Sequence, residues 1–126
     1  MGTKQFGGAP EDADLRRADS LAREIFSDVA NKWAFLIIEA LGAGTLRFSE
    51  LRTRVEGVSH KMLTQNLRML ERNGLVDRKV HATVPPRVEY TLTEPGQALR
   101  ATVDGMCGWT HQYLGQIESA RRRFEV

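Results

Sequence analysis

SHKMLTQNLRMLERNG, residues 59–74, carries two chemically different faces when it is wound into a helix. Leu63, Leu67 and Leu70 recur at intervals of four and then three, which puts them on one apolar stripe of a 3.6-residue period. Lys61, Thr64, Gln65, Arg68 and Arg72 follow the same period on the outside. These outer side chains are of the types that meet phosphates and the base edges of a DNA major groove: Arg and Lys suit guanine, Gln suits adenine, and Thr suits the thymine methyl. Ser59 is placed to cap the helix start and Asn73-Gly74 to end it, since a Ser hydroxyl accepts from a free first-turn amide and Gly tolerates the left-handed turn that closes helices. Taken alone, the stretch fits an ordinary amphipathic surface helix equally well. Its neighbours shift the balance.

Immediately upstream, Ser49 reads as an N-cap to a short helix whose Leu51 and Val55 face inward at four-residue spacing. Glu56-Gly57-Val58 leaves only a short link to Ser59. A short helix, a tight Gly-containing turn and a second helix with a polar outer face make a helix-turn-helix over residues 49–73, in which the second helix enters the groove. A plain helical corner is the alternative, and it has to attribute the basic face to chance. Downstream, residues 75–80 alternate loosely, and Val88, Tyr90 and Leu92 alternate cleanly with Arg87, Glu89 and Thr91 between them. Two strands joined by HATVPP follow from this, with Pro85-Pro86 stiffening the connection. A hairpin over residues 75–92 bearing Arg78, Lys79 and Arg87 has the layout of a wing that reaches minor groove or phosphates; a hairpin that merely covers the core is the competing reading.

The flanks read as helix. Residues 1–11, rich in Gly, have too little apolar content to order themselves and are expected to form a flexible tail. From about Asp12, Leu21, Ile25 and Val29 recur at four-residue spacing, and after Asn31 a second segment, KWAFLIIEAL, is apolar over most of its circumference and belongs in the core. Thr93 is placed to cap a long C-terminal helix in which Leu99, Val103, Met106, Thr110, Tyr113 and Ile117 form a coiled-coil-like seam. That is more apolar surface than one small domain covers. Residues 12–30 and 94–120 are therefore expected to be dimerisation helices, with Leu21 and Ile25 joining the seam.

A chain of 126 residues with 41% hydrophobic and 27% charged residues points to one globular domain, residues 12–126, and argues against wholesale disorder or a fibrous protein. No apolar run approaches a membrane span and the N-terminus lacks the blocks of a secretory signal, so a cytoplasmic protein without membrane contact is expected. One cysteine, Cys107, excludes an intrachain disulfide, and three scattered histidines give no zinc-ligand spacing; neither metal nor cofactor is expected. His60, His81 and His111 also fall on separate segments, and no nucleophile–base pair stands at motif spacing, which argues against an enzyme. The net charge of +2 is uneven: residues 47–90 hold nine Lys and Arg against five Asp and Glu, whereas residues 1–46 hold five against seven. Positive charge concentrated around residues 59–74 is the footprint of a polyanion-binding surface.

Together, KWAFLIIEAL, RFSELR, GVSHKMLTQNLRMLERNGLVDRK, VPPRVEYTLTEPG and MCGW resemble the HxlR-type winged helix-turn-helix transcriptional regulators, relatives of the MarR group. The resemblance implies an α+β, mostly helical fold, a winged helix-turn-helix with extra N- and C-terminal dimerisation helices. It implies a homodimer that binds an inverted repeat in double-stranded DNA and represses transcription. Lys61, Thr64, Gln65 and Arg68 would face the groove, Ser49 and Ser59 would lie near phosphates, and Arg87 would be the wing contact; His60, Arg72 and Lys79 complete the candidate DNA-binding set. An alternative within the same fold is a sensor whose pocket, at the dimer interface between the dimer helices and the wing domain and lined by Phe26, Trp33, Met106 and Trp109, holds an unidentified small-molecule effector that releases DNA. The sequence departs from the family at the position of its usual redox cysteine, about a dozen residues before Lys32-Trp33, where this chain has Ser20. A hydroxyl forms neither a sulfenic acid nor a disulfide. Cys107, on a helix expected to be packed, reads as an inert small hydrophobe.

Overall fold

A computed structural model describes residues 9–125 of the chain. In order it comprises α1 (Ala9–Val29), α2 (Lys32–Leu41), β1 (Leu46–Arg47), α3 (Phe48–Arg54), α4 (His60–Arg72), β2 (Val76–His81), β3 (Arg87–Leu92) and α5 (Glu94–Glu125). The strands form one antiparallel sheet in the order β1-β3-β2. This is the winged helix-turn-helix architecture expected from the sequence. Some details differ. Helix α1 begins at Ala9, so residues 9–11 of the expected tail are helical, while residues 1–8 lie outside the described residues. Strand β1 is an addition to the expected elements.

The core gathers where α2, α3, α4 and the sheet meet. Ile37, Ile38 and Leu41 of α2, Leu51 of α3, and Leu63, Leu67 and Leu70 of α4 are almost entirely shielded, together with Val55 and Val76. Each such side chain contributes about 1.5–3 kcal/mol relative to exposure. The caps are local, and those of α4 and α5 stand where the sequence places them. Asn31 Oδ1 accepts from Ala34 N at 2.9 Å, Ser59 Oγ from Met62 N at 3.0 Å, and Thr93 Oγ1 from Gly96 N at 3.1 Å. Gly74, at φ 73°, takes the left-handed turn that ends α4, and its N–H returns to Glu71 O at 3.0 Å.

Helix α5 docks at its first turns. A Cβ on Gly96 would stand 2.1 Å from the Leu75 carbonyl oxygen, so only glycine lets the helix approach there. Arg100 lies over Gly42 and pairs with Glu39 at 3.7 Å. Leu99 packs on the core and Val103 is buried against the chain itself. Beyond that point α5 runs out into solvent, with an irregular turn at Tyr113 (φ −108°, ψ 15°). Helix α1 likewise touches the core only near its end, through Ile25 and Val29, leaving Leu15, Leu21 and Phe26 exposed.

Candidate nucleic-acid interface

The helix-turn-helix is held from inside. Val55 N–H donates to Leu51 O at 2.8 Å and Val58 N–H to Val55 O at 3.2 Å, and Gly57 takes φ 89° in the turn. With Leu63, Leu67 and Leu70 pinned in the core, the 100° advance per residue leaves Lys61, Gln65 and Arg68 exposed and Thr64 half-buried on the outer face of α4. Ser59 and His60 open the helix, with the His60 ring 4.9 Å from that of Phe48. Asn66 is the buried polar residue of this helix; its Nδ2 donates to Met62 O at 2.9 Å, so it spends its amide on the backbone.

Side chains alternate across a strand, so neighbouring cations of the hairpin part company. Arg78 pairs in register with the buried Tyr90 and turns toward α4, where Thr64, Leu67, Arg68, Glu71, Arg78 and Tyr90 line one depression. Lys79 and Arg87 lie on the opposite face, gathered around Glu89. Arg87 Nε is 3.2 Å from Glu89 Oε2, His81 Nε2 is 2.7 Å from Glu89 Oε1, and Arg47 and Lys79 stand opposite Glu89 on the two flanking strands. The His81 hydrogen bond, aided by the charges of His81, Arg87 and Arg47 and opposed by desolvation, holds the Glu89 carboxyl below its ordinary range. In the sequence Arg78 is only one more basic hairpin residue. Its register opposite Tyr90 is what singles it out beside the outer face of α4.

Other expectations change. Ser49 is not the cap of α3: the helix starts at Phe48 with Arg47 in the capping position, whose N–H donates to Glu50 Oε1 at 2.8 Å, and the Ser49 carbonyl accepts from Thr53 Oγ1. β1 extends the chain into Arg47, and that sets the helix start two residues early. Arg72 follows the α4 period but reaches back to α1, with Nη2 3.1 Å from Asp28 Oδ2, and Asn73 Nδ2 binds the same carboxylate at 3.3 Å. The pair ties the end of α4 to α1. Ser49 nevertheless lies at a cleft of 580 Å³ between the start of α3 and the hairpin tip, lined also by Arg47, Phe48 and residues 83–88.

The expected seam divides at Val103. Leu99 and Val103 face the chain's own core, whereas Met106, Trp109, Tyr113 and Leu114 are exposed, Thr110 and Ile117 are half-buried, and the Trp109 and Tyr113 rings stand 6.0 Å apart. Cys107, expected to be packed, is exposed on the single chain. The four residues expected to line an effector pocket at the dimer interface differ in exposure on the single chain. Trp33 packs on the core, with Lys32 Nζ 4.8 Å from its ring centroid, while Phe26, Met106 and Trp109 are exposed.

Residues 28–118 match the family model for the HxlR-like helix-turn-helix. Among relatives, an uncharacterised HTH-type transcriptional regulator of Methanothermobacter thermautotrophicus is 42% identical over 94 residues, covering 75% of this chain and 72% of the relative. Among solved structures, a putative transcriptional regulator, ytfH, from Salmonella typhimurium is 40% identical with a TM-score of 0.69, covering 80% of this chain and 90% of that one. The diamide-treated form of YodB from B. subtilis, also 40% identical, superposes with a TM-score of 0.65 over 72% of this chain and 90% of that chain.

Proposed function

The chain belongs to the HxlR-like helix-turn-helix family, transcriptional regulators with a helix-turn-helix DNA-binding domain, and on that premise we propose that it acts as a homodimeric repressor on an inverted-repeat operator. The observation that carries this reading is the outer face of α4. Lys61, Gln65 and Arg68 stand exposed on a helix whose opposite face is locked in the core, beside Arg78 of the hairpin. A rigid helix offering an amide and cations at helical spacing presents bidentate donors to base edges in the major groove. Dimerisation rests on the apolar faces of α1 and α5, where Leu21, Phe26, Met106 and Trp109 are each more than half exposed on the single chain. Such surface marks a partner site, and a two-fold copy is the economical partner. Occupying the operator would then block transcription.

In vitro selection from a random duplex pool tests the reading. The protein is expected to enrich two symmetric half-sites about 34 Å apart, one turn of B-DNA. Enrichment of a single asymmetric site, or of none, refutes it. A second reading, an effector that releases DNA, is favoured by one feature: Trp109, Tyr113, Gln116, Ile117 and Ala120 line a hollow on α5 that a dimer mate would roof. An effector seated there would shift the spacing of the recognition helices and so the affinity.

A further inference from the structure

Residues 72–75, which close α4, receive both of the long flanking helices. From one side, Asp28 in the last turn of α1 accepts on Oδ2 from Arg72 Nη2 at 3.1 Å and from Asn73 Nδ2 at 3.3 Å. From the other, Thr93 at the root of α5 donates its hydroxyl to Gly74 O at 2.6 Å and its N–H to Leu75 O at 3.0 Å, with Gly96 closed against that second carbonyl. The two attachments differ in kind. That of α5 rests on backbone carbonyls and a glycine contact, whereas that of α1 to α4 hangs on one carboxylate, because α1 otherwise meets the core only through Ile25 and Val29. Asp28 also stands beside a joint. Only Ala30 and Asn31 separate α1 from α2, and Asn31 folds back, its N–H to Val29 O at 2.8 Å and its Nδ2 to Asp28 O at 3.0 Å. Helix α1 has 21 residues, a length of about 30 Å, so a small change of angle at this joint becomes a large displacement at the far end.

We infer that Asp28 is a positioning residue for DNA recognition: by gripping Arg72 and Asn73 it ties the direction of α1 to the end of α4, and so fixes the distance between the two copies of α4 in a dimer. The inference rests on the proposed homodimer and its DNA-binding role, and it gives Arg72 a task inside the protein rather than on DNA. One base pair added between two half-sites moves them about 3.4 Å apart and turns one against the other by about 35°. A dimer with the clasp closed meets one spacing. With the clasp open, α4 follows a displaced half-site at lower cost, while its contacts within that half-site stay the same. The clasp therefore acts on spacing and not on base readout.

The test titrates full-length wild type, Asp28→Ala, Asp28→Asn and Arg72→Ala against the duplex enriched by the wild type, the same duplex with its spacer one base pair shorter or longer, and a duplex carrying a single half-site. Melting temperature and sedimentation are measured alongside. The wild type is expected to favour the enriched spacing by about tenfold or more. Asp28→Ala should cut that preference about threefold or more, with the dimer and the affinity for the single half-site unchanged. Asp28→Asn, whose amide oxygen still accepts from both donors, should recover most of the preference. Arg72→Ala opens the clasp from its solvent side, where 70% of the side chain is exposed, and should act in the same direction even if Asp28→Ala proves unstable. A wild-type spacing preference in both alanine variants overturns the positioning role and leaves the DNA-binding role standing. So does a loss of affinity that falls equally on all the duplexes, which would make Asp28 an ordinary stabilising contact. A wild type that enriches no spaced pair of half-sites overturns the dimeric reading and this one with it.

Discussion

Arg68 and Arg87 read alike in the sequence, as surface cations of one basic segment, yet folding gives them different electrostatic surroundings, from which different behaviour on DNA is expected. Arg68 is exposed on the outer face of α4, in the depression it shares with Thr64 and Arg78. Its replacement by Ala in both subunits is expected to lower preference for cognate over scrambled duplex by about 1–3 kcal/mol per half-site, the value of a bidentate base contact. Arg87 is two-thirds shielded, with 34% of its side chain exposed, and lies 3.2 Å from a Glu89 oxygen. A free arginine on a phosphate contributes about 0.9 to the salt slope, so loss of one from each subunit would flatten it by about 1.8. A guanidinium already neutralised by Glu89 displaces fewer counterions, and the expected flattening for Arg87→Ala is below about 1. Anisotropy titrations of wild type, Arg68→Ala and Arg87→Ala against the selected and scrambled duplexes, each at several salt concentrations, separate the two. An unchanged specificity ratio in Arg68→Ala would reduce the outer face of α4 to a solvated surface. A flattening of about 2 in Arg87→Ala would show that Glu89 releases its arginine on DNA, and the hairpin would then act by charge after all.

Met106→Glu, at an exposed position, should leave the fold intact and convert the proposed dimer to monomer in sedimentation, whereas Val103→Glu buries a charge against the chain itself and should lower the melting temperature as well. A Met106→Glu protein that still sediments as a dimer places the interface elsewhere. Gly96→Ala puts a methyl group against the Leu75 carbonyl oxygen and is expected to destabilise the chain by about 1–3 kcal/mol in denaturant titrations; an unchanged midpoint would mean that α5 can draw back from Leu75 at no cost. Glu89 has a carboxyl pKa depressed chiefly by its His81 hydrogen bond, so its contribution is present above the ordinary carboxylate range and is lost as pH falls through the lowered value. Glu89→Gln should therefore flatten the acid limb of the stability–pH curve, and an identical limb in the variant refutes the linkage. Diamide is expected to leave DNA binding intact, because Ser20 stands where the sensing cysteine would be and a lone Cys107 has no intrachain partner. Loss of binding that Cys107→Ser prevents would show that the exposed thiol on α5 is a sensor in its own right.

The elements were legible because their causes are local. The stripe of Leu63, Leu67 and Leu70, the hydroxyl of Ser59 and the glycine after Asn73 lie within one segment, and each acts on amides a turn away. The alternation of Val88, Tyr90 and Leu92 likewise predicts a strand without reference to its partners. β1 has no such signature, because two residues carry no period; Leu46 and Arg47 are strand only through pairing with Tyr90 and Glu89, more than forty positions on. That pairing also moves the start of α3 ahead of Ser49, to Phe48.

Helical period makes Lys61, Arg68 and Arg72 equivalent, and strand composition does the same for Arg78, Lys79 and Arg87. Which of these cations keep their charge for a polyanion depends on acids brought close by folding: Asp28 of α1 holds Arg72, and Glu89 gathers Arg87 and His81. The seam of α5 divides for a related reason. Leu99 and Val103 are covered by the chain's own core, while Met106 and Trp109 overhang its edge. Backbone propensity and capping act over a few residues and can be read from sequence. Charge pairing and burial are set by neighbours distant in the chain, and only the tertiary structure supplies them.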